Sequence, residues 1–241
     1  MNNVLLIIRR ELSSYLRTPS GYIIAASILL IQGLLFNAMA VGDEARYSAK
    51  VLEIFLMNAG ATTMLAAVLF SMRMMAEERT KGTQMLLFTS PIREGHIILG
   101  KYLAAVVFLT LLILLSLYLP SLIFVNGKVS WGHIFAGYVG MILMGAATLA
   151  VGLFASSLVK NPFLGVLLAA VFVGLLELCW YISKITDGTL SEVLAYFSPF
   201  MKHFNSFQRG LINLSDVVFF LSLVYFSLFA ATRVLHSQRW Q

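Results

Sequence analysis

Residues able to do chemistry are few in this chain and they are scattered. Four histidines, His96, His133, His203 and His236, and one cysteine, Cys179, occur in 241 residues. None of the histidines is spaced with another histidine, cysteine or acid as a metal site requires, and one cysteine builds no disulfide framework. A hydrolase working inside a membrane would need a nucleophile and base, or paired acids, buried together. Only Glu177, and near a span end Glu53, offers an ionisable group at such depth. The run from Gly95 to Lys101 has the spacing of a phosphate-binding loop. However, Tyr102 stands where a Ser or Thr must hold magnesium, Ile97, Ile98 and Leu99 fill the loop, and an apolar stretch follows. The chain is therefore expected to be no enzyme and to hold no ATP of its own.

The elements that carry these residues are apolar throughout. Hydrophobic residues make up 59% of the chain and charged residues 12%, with a mean hydropathy of +0.87. A soluble domain is about a quarter charged, so the fold class expected is all-α integral membrane. Apolar runs of about 20 residues place six spans at 21–41, 51–75, 99–125, 134–158, 163–183 and 217–235 of a single membrane domain, 1–241. Short turns join most of them, whereas 76–98 and 184–216 are long enough to hold structure of their own. Ahead of the first span, Leu5, Ile8, Leu12, Tyr15 and Leu16 recur at helical spacing, with Arg9, Arg10 and Arg17 mostly elsewhere on the wheel. The segment 1–19 thus reads as an amphipathic interfacial helix ended by Thr18-Pro19. No signal-peptide order of basic head, apolar run and cleavage site precedes the first span, which is expected to stay.

Six spans put both termini on one side. Eleven of the seventeen basic residues fall there and six on the other, which makes the terminus side cytoplasmic by the positive-inside rule. With the acids included, that side carries +7 of the net charge of +6 and the opposite side −1. The surplus is topological, facing anionic lipid, and implies no nucleic-acid partner.

The loop 76–98 lies on the basic side. Glu77, Glu78 and Arg79 open it, Gly82 and Thr83 interrupt it, and Met85-Leu86-Leu87-Phe88 form an apolar patch before Ser90-Pro91. An apolar patch flanked by charge suits either docking to another protein or folding back on the membrane. The set Glu77-Glu78-Arg79, Gly82-Thr83, Leu86-Leu87, Ser90-Pro91 and Gly100-Lys101 after a second span resembles the signature of ABC-2-type permeases, the membrane subunits of type V ABC exporters. The resemblance extends to the amino-terminal helix and the six-span order. It implies a coupling helix between spans two and three, seated in a cleft of an ATP-binding subunit. Glu77, Glu78 and Arg79 would start it, Gly82 to Leu87 would form its docking body, and Pro91, Gly100 and Lys101 would lead into the third span. It implies two ATP-binding subunits that hold ATP and magnesium, and a second permease subunit, identical or homologous. The setting implied is the bacterial inner membrane.

In the segment 184–216, Phe200, Phe204, Phe207 and Leu211 follow at i, i+4, i+7 and i+11. This apolar stripe is expected to make an external amphipathic helix between spans five and six that lies in the interface or dips into the outer leaflet, anchored by its aromatics. Ser198-Pro199-Phe200, Phe207-Gln208-Arg209-Gly210-Leu211-Ile212, Asp216 and Phe219-Phe220-Leu221 resemble the Gld-like, gliding-motility-associated subgroup, which overlaps copper-enzyme-maturation permeases.

Within the spans, Thr148, Gly152 and Ser156 recur every four residues and give a flat face for close helix approach, inside the chain or between subunits. Glu177 lies roughly 21 Å along the fifth span at 1.5 Å per residue. Pairing with Lys184, snorkelling, or a part in handling substrate are its possible uses. A stand-alone ion-coupled carrier, an intramembrane enzyme and a non-transporting mechanotransmission subunit are the rival readings. The carrier and the enzyme would need several interacting buried ionisable groups and no ATPase partner.

Overall fold

A computed structural model describes residues 2–41, 47–71, 74–75 and 94–238. The elements are α1 (Asn2–Arg17), α2 (Pro19–Leu35) running into a wider π-turn (Phe36–Val41), α3 (Ser48–Ser71), α4 (Glu94–Leu115), α5 (Tyr118–Asn126), α6 (Trp131–Leu158), α7 (Pro162–Ser183), α8 (Thr189–Tyr196), a π-turn (Pro199–Phe204), α9 (Asn205–Gln208) and α10 (Leu214–Gln238). Among the described residues every regular element is helical, and six helical stretches are long and apolar enough to cross a membrane: Gly21–Val41, Ser48–Ser71, Glu94–Val125, Trp131–Leu158, Pro162–Ser183 and Leu214–Gln238. Backbone groups in hydrocarbon must be satisfied within the segment, and helices do this. Span hydroxyls follow the same rule, Thr63, Thr148 and Thr232 each donating to the carbonyl four residues back at 2.7, 2.9 and 2.8 Å.

Helix starts follow local chemistry. Pro19 opens α2 after an extended Thr18, where a missing N–H costs nothing. Pro162 opens α7, and the Asn161 side chain caps it by accepting from the Phe163 N–H at 2.9 Å. The third span is not one rod. After Leu115 the helix breaks at Ser116 and Leu117 and restarts as α5 with Pro120 in its first turn. The Ser116 hydroxyl bonds the Ile113 carbonyl at 2.7 Å and the Tyr138 hydroxyl at 3.0 Å.

Span four, α6, is the most enclosed, with α3, α4, α7 and α10 around it. Spans one and five sit at the rim and expose Ile23, Leu30 and Leu34, and Leu167, Leu175 and Leu178. Such apolar faces suit lipid or another subunit. One polar link fixes the first span to the second, Gln32 Nε2 donating to Thr62 Oγ1 at 3.0 Å.

Of the two placements expected for the stripe of the 184–216 segment, in the interface or dipping inward, the structure departs from the first. Phe200, Phe204 and Phe207 are buried, not spread on an interface. Two glycines make this possible by removing the side chains that would stand in the way. A Cβ on Gly60 of α3 would overlap the Phe204 ring, and one on Gly140 of α6 would overlap Phe207. The segment therefore folds back into the bundle between the second and fourth spans. Gly60→Leu is expected to destabilise the protein by about 1–3 kcal/mol, the usual cost of overpacking, and to expose the segment. Thermal unfolding in detergent checks the first, proteolysis within 184–198 the second, and Phe204→Ala in the same chain should restore part of the loss.

Candidate functional site

Two clusters of polar residues stand out, one at each end of the bundle. At the end where α1 lies, Ile7 and Tyr15 are buried while Arg9, Arg10 and Arg17 are exposed. Tyr15 stacks on Phe108 of α4 at 5.5 Å between centroids, and Phe108 meets Phe70 of α3 edge-on at 5.1 Å. Ile7 sits on Gly100, where a Cβ would come within 2.7 Å of its side chain. Beside this contact Lys101 is 1% exposed, and its Nζ donates to Glu11 Oε1 at 3.2 Å. Arg10 also reaches Glu11 Oε1, at 2.6 Å. Burial works against the charged form of Glu11. The charges of Lys101 and Arg10 outweigh it and hold the carboxyl below its ordinary value. Helix α1 is thereby fastened to the first two turns of the third span.

At the opposite end a hollow of about 420 Å³ lies between α3 and α7 under the Pro199–Phe204 turn. Met64, Leu65, Val68 and Val173 form its walls, Phe200 and Met201 its roof, and Glu177 its polar end. Glu177 does not pair with Lys184. Its Oε2 accepts from the Ser198 hydroxyl at 2.7 Å and its Oε1 from the Phe200 N–H at 2.8 Å. Ser198 in turn accepts from the Met201 N–H at 3.2 Å and caps the turn. Lys184 stands over the Trp180 ring at 5.3 Å instead. The fifth span thus holds the start of the re-entrant turn by a carboxylate.

The sixth span holds its other side. His203, 1% exposed, lies with Nδ1 2.7 Å from Asp216 Oδ1 and Nε2 2.8 Å from the Tyr196 carbonyl oxygen. Asn213 Nδ2 donates to the second carboxylate oxygen at 3.2 Å. Phe219 stacks on the imidazole at 3.8 Å and Tyr196 meets it edge-on at 4.8 Å. A carbonyl only accepts, so Nε2 carries a hydrogen, and the Nδ1 contact with Asp216 needs a second proton held between the two groups. His133 bonds the Gln208 carbonyl oxygen through Nε2 at 2.6 Å.

The matched family model is that of the ABC-2 type transporter, over residues 2–212. The chain belongs to that family. This ABC-2 chain is a multi-pass membrane permease. No curated protein matches it at a significant level.

The other residues singled out from sequence in this permease fall as follows. Glu77, Glu78, Arg79, Gly82, Thr83, Leu86, Leu87 and Pro91 lie outside the described residues. Thr148, Gly152 and Ser156 face neighbours within the chain: a Cβ on Gly152 would overlap Ser71 of α3, and the Ser156 hydroxyl accepts from the Met75 N–H at 3.3 Å. Glu11 drew no functional reading from sequence, His203 entered only among histidines without metal-site spacing, and Asp216 only as part of the 198–221 resemblance. Ser198-Pro199 did carry a detectable signal, the capping residue and proline of a helix start.

Proposed function

We propose that this ABC-2 chain is one half of an export permease. It pairs with a second permease subunit and is driven by two ATP-binding subunits, which supply the ATP and magnesium chemistry. In this reading the loop 76–98 contains the coupling helix. It sits on the cytoplasmic side of a bacterial inner membrane, with both termini, and α1 lies along that surface with Arg9, Arg10 and Arg17 toward anionic headgroups.

The observation that carries the reading is the ABC-2 type transporter match over residues 2–212, supported by where α1 is fastened. A force applied to the coupling segment enters the third span at Glu94, and within its first two turns that span is joined to α1 through Gly100, Lys101 and Glu11. The junction makes α1 and the root of span three move together, so closure of the ATP-binding subunits displaces a joined pair rather than one helix. The far ends of spans five and six are tied to the re-entrant turn by Glu177 and Asp216, so rearrangement there moves the roof of the hollow. The resemblance around 198–221 supports the Gld-like subgroup.

Replacing Leu86 and Leu87 together with aspartate is expected to abolish co-purification of the ATP-binding subunit, or to reduce stimulated ATPase activity by more than tenfold, which is about 1.4 kcal/mol or more of lost docking. The spans should stay folded by circular dichroism. Unchanged co-purification together with unchanged ATPase activity would overturn the reading.

A further inference from the structure

We infer that the hollow between the second and fifth spans binds an amphipathic cation, with Glu177 as its counter-ion, a substrate class that rests on reading the chain as a permease. The volume, about 420 Å³, is in the range of small-molecule sites, roughly 300–1,000 Å³. Its walls and roof come mainly from Met64, Leu65, Val68, Val173, Phe200 and Met201, with Tyr181 at the rim, a lining that suits an apolar body.

The charge at its end decides the sign of the ligand. Both oxygens of Glu177 accept from neutral donors, the Ser198 hydroxyl and the Phe200 N–H. Among the described residues no lysine, arginine or histidine forms an ion pair with it. Lys184, two turns along α7, is held over Trp180. His203 lies at longer range from Glu177, and its ring is engaged by Asp216 at 2.7 Å. These hydrogen bonds orient the carboxyl and place no cationic partner against it. A carboxylate within a span is expensive without a cation, and a ligand that brings one gains both the charge interaction and the apolar walls. An anion of equal size meets the same walls and is repelled.

The test measures equilibrium binding of tetraphenylphosphonium and of tetraphenylborate, which have the same shape and opposite charge. The full chain is placed in phosphatidylcholine nanodiscs, with uptake by empty nanodiscs subtracted. The cation is expected to bind at least about tenfold more tightly than the anion, since a charge pair at low dielectric exceeds the 1.4 kcal/mol that tenfold represents. Glu177→Gln should bring the two within about twofold. Ala61→Trp, on the exposed rim of the hollow, should fill it and weaken the cation more than tenfold while leaving Glu177 and Ser198 in place. Equal affinity for the two ions, a preference that survives Glu177→Gln, or unchanged binding in Ala61→Trp would each overturn the inference. If Glu177→Gln does not fold, the wild-type preference and Ala61→Trp still decide. The assay contains no ATP-binding subunit. Its failure removes the cation class alone, whereas failure of the Leu86 and Leu87 experiment removes the coupling reading and leaves this result standing.

Discussion

Lys101→Ala is expected to destabilise the folded chain by about 3–5 kcal/mol, the range for breaking a buried ion pair from one side. The ammonium is 1% exposed and lies 3.2 Å from Glu11, and its aliphatic stem is packed as well. The double variant Glu11→Leu, Lys101→Met should recover most of the loss, because two apolar side chains of similar size need no counter-charge. Thermal unfolding of the detergent-solubilised chain measures both. A wild-type transition in Lys101→Ala would refute the role given to the pair. The same pair sets an acid limit. The folded carboxyl of Glu11 is held below its ordinary value of 4.5, so its stabilising contribution is complete above that value and is lost as the pH falls below it. Lys101→Ala should flatten that part of the pH profile.

His203→Ala should cost about as much, about 3–5 kcal/mol, for a different reason. It strands Asp216, which is buried and, among the described residues, keeps only the Asn213 amide as a side-chain donor, and it removes the ring against which Phe219 stacks. The replacement His203→Phe, Asp216→Ala keeps an aromatic ring and discards the buried polar pair, and is expected to return most of the stability. Faster proteolysis within 184–198 in His203→Ala, restored in the double variant, would show that the loss lies in the re-entrant segment. Unaltered proteolysis of that segment would place the role of the pair elsewhere.

The six spans were legible because a membrane helix announces itself through a sum over about 20 residues, and single errors cancel in such a sum. The small face of Thr148, Gly152 and Ser156 was legible for a similar reason, since spacing alone marks a surface that admits close approach, and Ser71 fills it. The stripe of Phe200, Phe204 and Phe207 shows where such reading stops. Its period is the same whether the face meets lipid or protein, and what decides is Gly60 and Gly140, far away in the chain. Glu177 was noticed as a charge in a span, but two of its partners are Ser198 and a backbone N–H, and a backbone donor leaves no mark in composition. Glu11 and Lys101 are ninety residues apart, so neither spacing nor periodicity joins them. Lys101 had entered only as the end of a phosphate-loop-like spacing and as the point where a loop meets the third span.

The interruption of that span at Ser116 and Leu117 has a mechanical consequence. A continuous helix pushed at one end transmits the push along its length. A helix broken midway, with Pro120 just beyond the break, turns the push into rotation about the break. The pivot is held to span four by the Ser116 and Tyr138 hydroxyls, on the most enclosed helix of the bundle. The third span is therefore two arms rather than one lever: a long arm, Glu94–Leu115, fastened to α1 through Lys101 and Glu11, and a short arm, Tyr118–Asn126, beyond the point held to span four.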